Sequence, residues 1–449
     1  MATSCDIVVI GLGPGGEATA TELAKAGLDV VGIDERLVGG ECPYYGCIPS
    51  KMIIRAAGLL ADARRIPGNA GTVDVRPDWT PVHERIRDEA TDDWDDTVAV
   101  ERLEGAGVTF VRGHGRLTGP RTVEVGGETY EAKVGVVLNT GTRPSTPPID
   151  GLADTPFWTN REVLRIDTLP ASLAVIGGGP IGAELAQALA RFGVRVTVLE
   201  VGPHLLGPVE PEAGELLGKV FAEEGIQVLT DATISKVSYD DGHFTIAVDD
   251  QELTVDKLLV AAGRRNNIDD VGLETVGLDP SARSIETDEE MSAGEGLWAI
   301  GDIVGHGAFT HMSMYQSAVA VASILGKDGP RADYRAVPHV TFTDPEVGGV
   351  GLTEKQARDQ GLTVRIGTTD LSVSTRGWIA KAQGLIKLVE DADRGVLVGA
   401  TVAGPAGGEI LGMLTTAVHA EVPTATLRTM IYAYPTLQRA LEEAVKDLG

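Results

Sequence analysis

The chain has 449 residues, 43% hydrophobic and 23% charged, a balance typical of a folded protein with more than one domain. Lys and Arg number 38 against 65 Asp and Glu, and this net charge of -27 argues against binding nucleic acid or an anionic membrane through bulk charge. Three cysteines are too few for a secreted disulfide framework, the start MATSCDIVVIGLG lacks signal-peptide features, and no apolar run approaches membrane-spanning length, so we expect a cytoplasmic protein.

The first β-α-β unit lies at the N-terminus. Its predicted strand, helix and strand are residues 6–10, 16–26 and 29–33. The turn carries Gly11, Gly13 and Gly16, a spacing that allows a tight turn, close approach of the backbone to a pyrophosphate and close helix packing. Asp34 ends the second strand, where its carboxylate can accept hydrogen bonds from a ribose. The unit therefore predicts a dinucleotide site.

A pair of cysteines follows this first unit, in the segment GGECPYYGCIPSK at 39–51. Cys42 and Cys47 can cycle between dithiol and disulfide, and a neighbouring redox cofactor would turn that cycle into an electron relay. The alternatives are a zinc half-site or two inert core thiols. No second ligand pair follows and the histidines are scattered, so we predict no metal site.

A second β-α-β unit repeats the first. Its predicted strand, helix and strand are residues 173–176, 183–192 and 195–199. Gly177, Gly179 and Gly182 form the turn, and Glu200 ends the second strand. A carboxylate there favours a free 2′-hydroxyl and repels a 2′-phosphate, which points to NADH. NADPH stays open, because His204 could meet a phosphate.

The last part of the chain has a different texture. Composition shifts at 143–148 (RPSTPP) and 327–330 (KDGP) mark probable boundaries. After residue 337, β-rich segments are followed by helices, which predicts a separate α+β domain.

Taken together, these motifs resemble the class I flavoprotein disulfide reductases, the family of lipoamide dehydrogenase, glutathione reductase and mercuric reductase. GGECPYYGCIPSK is similar to their active-site segment. Further similar segments, besides the two glycine units, are NTGTRP at 139–144, AAGRRNN at 261–267, WAIGD at 298–302 and TFTDPEVGGVGLTE at 341–354. The resemblance implies an α/β fold with two Rossmann-like dinucleotide-binding domains, for FAD and NAD(P)H, and a C-terminal α+β dimerisation domain. The implied boundaries are 1–150 and 271–330 for the FAD-binding and central parts, 151–270 for NAD(P)H and 331–449 for dimerisation.

The resemblance also implies roles for individual residues. Cys47 would be the charge-transfer thiol against the flavin, and Cys42 the interchange thiol that meets the acceptor. Lys51 would pair with Glu184 near flavin N5. The other residues implied for the cofactors are Gly141, Asp302, Thr310 and His311 for FAD and Gly263 for NAD(P)H.

The C-terminal segment departs from the family pattern. Disulfide reductases typically carry H-x-H-P-T-x-x-E, whose second histidine and glutamate form the acid/base pair, whereas this chain has Tyr434 and Arg439 at those two positions and Tyr432 at the first. A phenol has a reference pKa of about 10 against about 6.5 for an imidazole, so Tyr434 is a poor base at neutral pH. Mercuric reductases also have tyrosine near this position, but this chain lacks their C-terminal cysteine pair.

The sequence thus predicts an FAD-dependent homodimer that passes electrons from NADH through the Cys42–Cys47 disulfide to an acceptor at the dimer interface, beside Tyr434. The leading prediction is a disulfide reductase with an unusual acceptor, which is a small-molecule disulfide, a quinone or a metal ion. The alternatives are a quinone, metal-ion or dye reductase, or a non-catalytic FAD-binding partner.

Overall fold

The computed structural model describes residues 2–449. The strands are β1 (Thr3–Ile10), β2 (Val30–Asp34), β3 (Val108–Arg112), β4 (Arg116–Gly119), β5 (Thr122–Val125), β6 (Glu128–Leu138), β7 (Thr142–Pro144), β8 (Ser172–Ile176), β9 (Arg195–Leu199), β10 (Gln227–Leu229), β11 (Ile234–Asp240), β12 (His243–Val248), β13 (Gln251–Val255), β14 (Lys257–Val260), β15 (Arg264–Asn266), β16 (Ser292–Gly294), β17 (Leu297–Ala299), β18 (Pro338–Thr341), β19 (Glu346–Gly351), β20 (Val364–Asp370), β21 (Leu385–Asp391) and β22 (Val396–Gly404). The α-helices are α1 (Pro14–Lys25), α2 (Glu41–Tyr45), α3 (Cys47–Arg64), α4 (Thr80–Arg85), α5 (Thr97–Gly105), α6 (Asn160–Val163), α7 (Pro180–Arg191), α8 (Pro211–Glu223), α9 (Thr310–Ile324), α10 (Glu354–Asp359), α11 (Thr375–Ala380), α12 (Gly407–His419), α13 (Thr424–Thr429) and α14 (Ala440–Asp447).

One compact unit consists of residues up to 50, 83–145 and 264–334. Its sheet has the order β16-β17-β6-β1-β2-β3, extended by β5 beside β6 and β4 beside β5. Strand β1 pairs in parallel with β2 and β6, so the glycine turn after β1 and the acid at the end of β2 lie at the same edge. Helix α1 begins at Pro14, two residues before the predicted start, because proline suits the first helical position.

The other compact unit consists of residues 51–82, 146–263 and 335–449. Its parallel sheet, β10-β9-β8-β14, carries the second β-α-β unit, and all five residues of β8 are buried because both faces of such a sheet are covered. Strands β11, β12 and β13 form a separate antiparallel sheet.

The C-terminal residues of this unit build an antiparallel sheet of order β18-β19-β22-β21-β20, packed with helices α12 and α14. Helix α14 buries Leu441, Ala444 and Val445, the spacing of one helical face, and Leu448 is buried directly after the helix. The predicted α+β arrangement after residue 337 is confirmed. The boundaries of the domains stay a prediction. Among residues 2–449, no helix combines the length and apolarity needed to cross a membrane.

Candidate active site

The first glycine turn is shaped by close backbone contacts. Gly11 has a φ of 90°, and a methyl group on it would lie 2.3 Å from the carbonyl oxygen of Asn139. A methyl group on Gly16 would lie 2.0 Å from the carbonyl oxygen of Gly11, so only glycine lets helix α1 pack against the turn. Gly13 precedes α1 without a side-chain cap, which leaves the first N–H groups of the helix directed toward an anion.

The second turn repeats this construction. Gly177 has a φ of 105°, and a methyl group on it would lie 2.5 Å from the carbonyl oxygen of Ala261. A methyl group on Gly182 would lie 2.0 Å from the carbonyl oxygen of Gly177. Gly179 precedes α7 without a side-chain cap. Both turns therefore have the narrow backbone cradle that a pyrophosphate requires.

The two acids also take the same position. Asp34 accepts hydrogen bonds from the backbone N–H groups of Leu12 and Arg36, at 2.7 Å each. Glu200 accepts hydrogen bonds from the backbone N–H groups of Gly178, at 2.6 Å, and Gly202, at 2.7 Å. Burial raises the pKa of Asp34, and these N–H groups oppose that rise. Each carboxylate oxygen keeps a further lone pair, so both sites fit a dinucleotide ribose.

The two cysteines of the redox segment lie on consecutive helices, Cys42 within the short helix α2 and Cys47 at the start of α3. Cys47 is the first residue of α3, and its sulfur lies 3.4 Å from Oγ1 of Thr310, the first residue of α9. Cys47 is exposed and Cys42 is partly buried. His311 is exposed and stacks on Phe309, with ring centroids 5.1 Å apart. The structure therefore brings Cys47 together with the predicted flavin-side residues at the start of α9.

Asp302 lies at the end of a hydrogen-bonded chain. It accepts from Thr142 Oγ1 at 2.7 Å, and Thr142 Oγ1 accepts from Nε of Arg264 at 2.6 Å. Burial raises the pKa of Asp302, while the Thr142 hydrogen bond and the Arg264 charge lower it. Gly141 and Gly263, both at positive φ, precede the paired strands β7 and β15 that hold Thr142 and Arg264.

Lys51 and Glu184 form the ion pair that the resemblance implies. Lys51 Nζ lies 2.7 Å from Oε2 of Glu184, whose side chain is only 6% exposed. Oε1 of Glu184 accepts from the backbone N–H of Phe342 at 2.8 Å, and the Lys51 ammonium lies 4.7 Å from the Phe342 ring centroid. Both carboxylate oxygens are thus engaged, which fixes the direction in which Lys51 points.

Helix α7 holds the TFTDPE segment through a polar stripe. Gln187 binds both backbone groups of Asp344, donating to its carbonyl oxygen at 2.8 Å and accepting from its N–H at 2.8 Å. Arg191 lies 2.9 Å from the Asp344 carboxylate and 2.5 Å from Glu224. Together with Glu184 these residues occupy one face of α7, at i, i+3 and i+7.

Near the C-terminus, Tyr434 is 67% exposed. The guanidinium of Arg439 lies 5.7 Å from the Tyr434 ring centroid and 2.8 Å from the carboxylate of Glu442. The positive charge of Arg439 is therefore paired with a carboxylate within the segment. Tyr432 is buried and donates to the carbonyl oxygen of Leu427 at 2.9 Å.

Sequence reasoning missed residues that support the predicted ones. The missed residues are Glu41, Asn139, Thr142, Gln187, Arg191 and Arg264. Thr142 lies in the segment NTGTRP and Arg264 in the segment AAGRRNN, which the sequence analysis treats as whole motifs. In the apolar helix α7, the sequence spacing of Glu184, Gln187 and Arg191 already indicates a polar stripe. Within residues 2–449, no cluster of three or more His, Cys, Asp or Glu side chains is placed to hold a metal ion.

Comparison with known proteins links this geometry to a family. The family description pyridine nucleotide-disulphide oxidoreductase matches residues 5–322, and its dimerisation domain matches 337–445. The dihydrolipoyl dehydrogenase of Thermus scotoductus is 34% identical over 99% of this chain and 97% of its own length. The mercuric reductase of Acidithiobacillus ferrooxidans is 33% identical over 98% of this chain and 82% of its own. The crystal structure of LpdA from Mycobacterium tuberculosis superimposes with a TM-score of 0.86 at 26% identity, covering 100% of both chains.

Proposed function

The chain belongs to the pyridine nucleotide-disulphide oxidoreductase family, whose members bind FAD and use NAD(P)H, and we propose that it is an NADH-dependent disulfide reductase. The observation that carries the proposal is the Cys42–Cys47 pair, with the Cys47 sulfur 3.4 Å from Thr310 Oγ1 at the start of α9. A thiol pair held in this way beside residues of the flavin site is suited to pass electrons outward.

The cofactor sites follow from the two turns. Gly11, Gly13 and Gly16 with Asp34 would hold FAD, and the equivalent turn with Glu200 would hold NADH. The remaining contacts proposed for the cofactors are Gly141, Asp302, Thr310 and His311 for FAD and Gly177, Gly179, Gly182 and Gly263 for NADH. Glu200 supports NADH over NADPH because its carboxylate repels a 2′-phosphate.

The chemistry of the cysteines is thiol–disulfide exchange. Bound FAD supplies the hydride acceptor for NADH and the electron pair that opens the disulfide. Cys42 then attacks the acceptor disulfide and releases one acceptor thiolate, and Cys47 attacks the Cys42 sulfur and releases the other. Each thiolate takes a proton, so the acceptor gains two electrons and two protons while the Cys42–Cys47 disulfide forms again.

The Lys51–Glu184 pair supports this cycle by placing a positive charge one helical turn after Cys47. Because Glu184 is buried and bound on both oxygens, Lys51 is oriented by a fixed partner. We propose that this ammonium stabilises negative charge where hydride arrives.

The dimerisation domain supports a homodimer. In our proposal the acceptor lies between Cys42 of one chain and Tyr434 of a second copy. Tyr434 donates a hydrogen bond there instead of serving as a base, since a phenol is protonated at neutral pH. We therefore expect turnover with ordinary disulfides to be lower by about 10²–10⁴-fold than with a histidine in its place.

The first test separates the cysteines from the flavin. Cys42→Ser should abolish NADH-dependent disulfide reduction and spare NADH-dependent reduction of a dye, because dye reduction needs the flavin alone. The measurement is NADH oxidation with lipoamide, glutathione-type disulfides, quinones, metal ions or a dye as acceptor.

The matched control is Cys5→Ala, which removes the buried cysteine of β1 and should leave every rate unchanged. Equal loss of dye and disulfide reduction in Cys42→Ser would contradict the proposal. Quinone or metal-ion reduction that survives in Cys42→Ser would favour a reductase that acts at the flavin.

A further inference from the structure

The redox segment begins with an acid. Glu41 directly precedes Cys42 and is the first residue of helix α2. Its carboxylate lies 3.2 Å from Nη2 of Arg264, and the two side chains are only 27% and 19% exposed. Charges enclosed to this degree act on their neighbours more strongly than charges on an open surface.

Arg264 is itself fixed from the other side. Its Nε donates to Thr142 Oγ1 at 2.6 Å and its Nη2 donates to the Thr142 carbonyl oxygen at 2.9 Å. Thr142 Oγ1 in turn donates to the Asp302 carboxylate at 2.7 Å, so the guanidinium, the hydroxyl and the carboxylate form one hydrogen-bonded chain. Glu41 therefore meets a guanidinium whose position is set by the strands β7 and β15.

The two charges also act beyond their own contact. Burial raises the pKa of Asp302, the Thr142 hydrogen bond and the Arg264 charge lower it, and the Glu41 charge raises it. Cys42 follows Glu41 directly in the chain, which places its thiol within about one screening length of both charges.

We propose that Glu41 and Arg264 are positioning residues of the redox segment. Their ion pair holds the start of α2 to Thr142, and the balance of the two charges sets the reactivity of the Cys42 thiol. Loss of Arg264 leaves a negative charge beside the thiol and disfavours its thiolate, whereas loss of Glu41 leaves a positive charge and favours it. This inference rests on the proposed function, in which Cys42 meets the acceptor.

The test measures alkylation of Cys42 as a function of pH. The FAD-loaded protein is reduced with dithiothreitol, desalted without oxygen and treated with iodoacetamide, and the modified peptide is quantified by mass. Glu41→Gln should move the midpoint pH down and Arg264→Gln should move it up, each by about 0.5–1 unit, the size expected for a screened Coulomb interaction within one Debye length. The double variant should return close to the wild-type midpoint.

All variants keep the other charged and titratable groups around the segment, which include Lys51, Asp302 and His311 and the groups whose charges act on Tyr44 of α2, namely Asp96, Glu17, Arg102 and Asp95. Arg264→Lys retains the charge, so its midpoint pH for Cys42 alkylation should lie close to the wild-type value. Arg143→Gln is the matched control, because Arg143 lies on β7 and pairs with Asp269 at 2.6 Å instead of with Glu41. It should leave the midpoint unchanged.

Shifts of the same sign in Glu41→Gln and Arg264→Gln, or unmoved midpoints in both, would overturn the inference. If Arg264→Gln does not fold, Glu41→Gln alone decides, and an unmoved midpoint there overturns it. Chemical reduction replaces NADH in this test, so failure of the proposed function appears separately, as absent NADH-driven disulfide reduction with the alkylation shifts intact.

Discussion

At the scale of single residues, the C-terminal tyrosine distinguishes this chain from the family pattern. Tyr434 is exposed, and Arg439 contacts both its ring and Glu442. In the proposed function, the segment places a phenol hydroxyl and an ion pair where the family pattern has an imidazole and its carboxylate. A neutral donor can orient an acceptor but cannot take the proton of a thiol at neutral pH.

Restoring the acid/base pair should accordingly raise disulfide turnover. Tyr434→His combined with Arg439→Glu should increase NADH:lipoamide activity by at least about tenfold. The gain can reach the factor of about 10²–10⁴ that general acid–base catalysis typically contributes. Stopped assays at neutral pH measure the gain, and dye reduction should not change.

The control for this variant is Tyr432→Phe, which removes one buried hydrogen bond without supplying a base. An unchanged lipoamide rate in the double variant would mean that the missing base does not limit turnover.

At the scale of elements, helix α7 follows a glycine turn and also holds a second segment of the chain, TFTDPE, in place. Its buried face places Glu184 against Lys51, Gln187 on the backbone of Asp344 and Arg191 on the Asp344 carboxylate. The helix and the TFTDPE segment are thereby held in one register. Since Phe342 in that segment also donates to Glu184, the register determines where the Lys51–Glu184 pair lies.

Removing the double hydrogen bond should therefore destabilise the protein. Gln187→Leu leaves the part-buried N–H and carbonyl groups of Asp344 without this partner, at a cost of up to about 1–3 kcal/mol for each unsatisfied group. Urea unfolding followed by circular dichroism measures the loss in free energy of unfolding.

Gln360→Leu serves as the comparison, because Gln360 is an exposed glutamine at the end of α10 and should change stability by no more than about 0.5 kcal/mol. A similar loss in both variants would show that the contact with Asp344 is not responsible.

The same elements show what the sequence can and cannot predict. Each β-α-β unit is local, so the glycine spacing and strand periodicity suffice to predict the turn, the helix and the acid at the strand end. Gln187 and Asp344, or Glu41 and Arg264, are far apart in the chain and meet only in the folded structure. A local pattern can mark a polar stripe such as that of α7, but it does not identify the distant partner, which is why these contacts are not predicted from the sequence.

At the scale of the whole molecule, charge affects assembly. Each chain carries a net charge of -27, so two copies that meet through the dimerisation domain repel each other. The screening length falls from about 30 Å at 0.01 M salt to about 8 Å at 0.15 M, which weakens this repulsion.

Raising the KCl concentration over this range should therefore tighten the dimer. Sedimentation velocity at low protein concentration should show a larger dimer fraction in the higher salt, and disulfide reduction per chain should rise with it. Sucrose in place of KCl should have little effect. A dimer fraction that falls with salt would show instead that attractive charge pairs dominate the interface.

The repeated glycine turns have a consequence for ligand binding. In both turns the strand-end acid is already tied to the backbone of its own turn, so the chain itself sets the shape of the cradle. A nucleotide thus meets a preorganised receptor, and little conformational entropy is lost when it binds. Affinity at these sites should depend chiefly on contacts with the nucleotide, because the cost of ordering the loop is met when the protein folds.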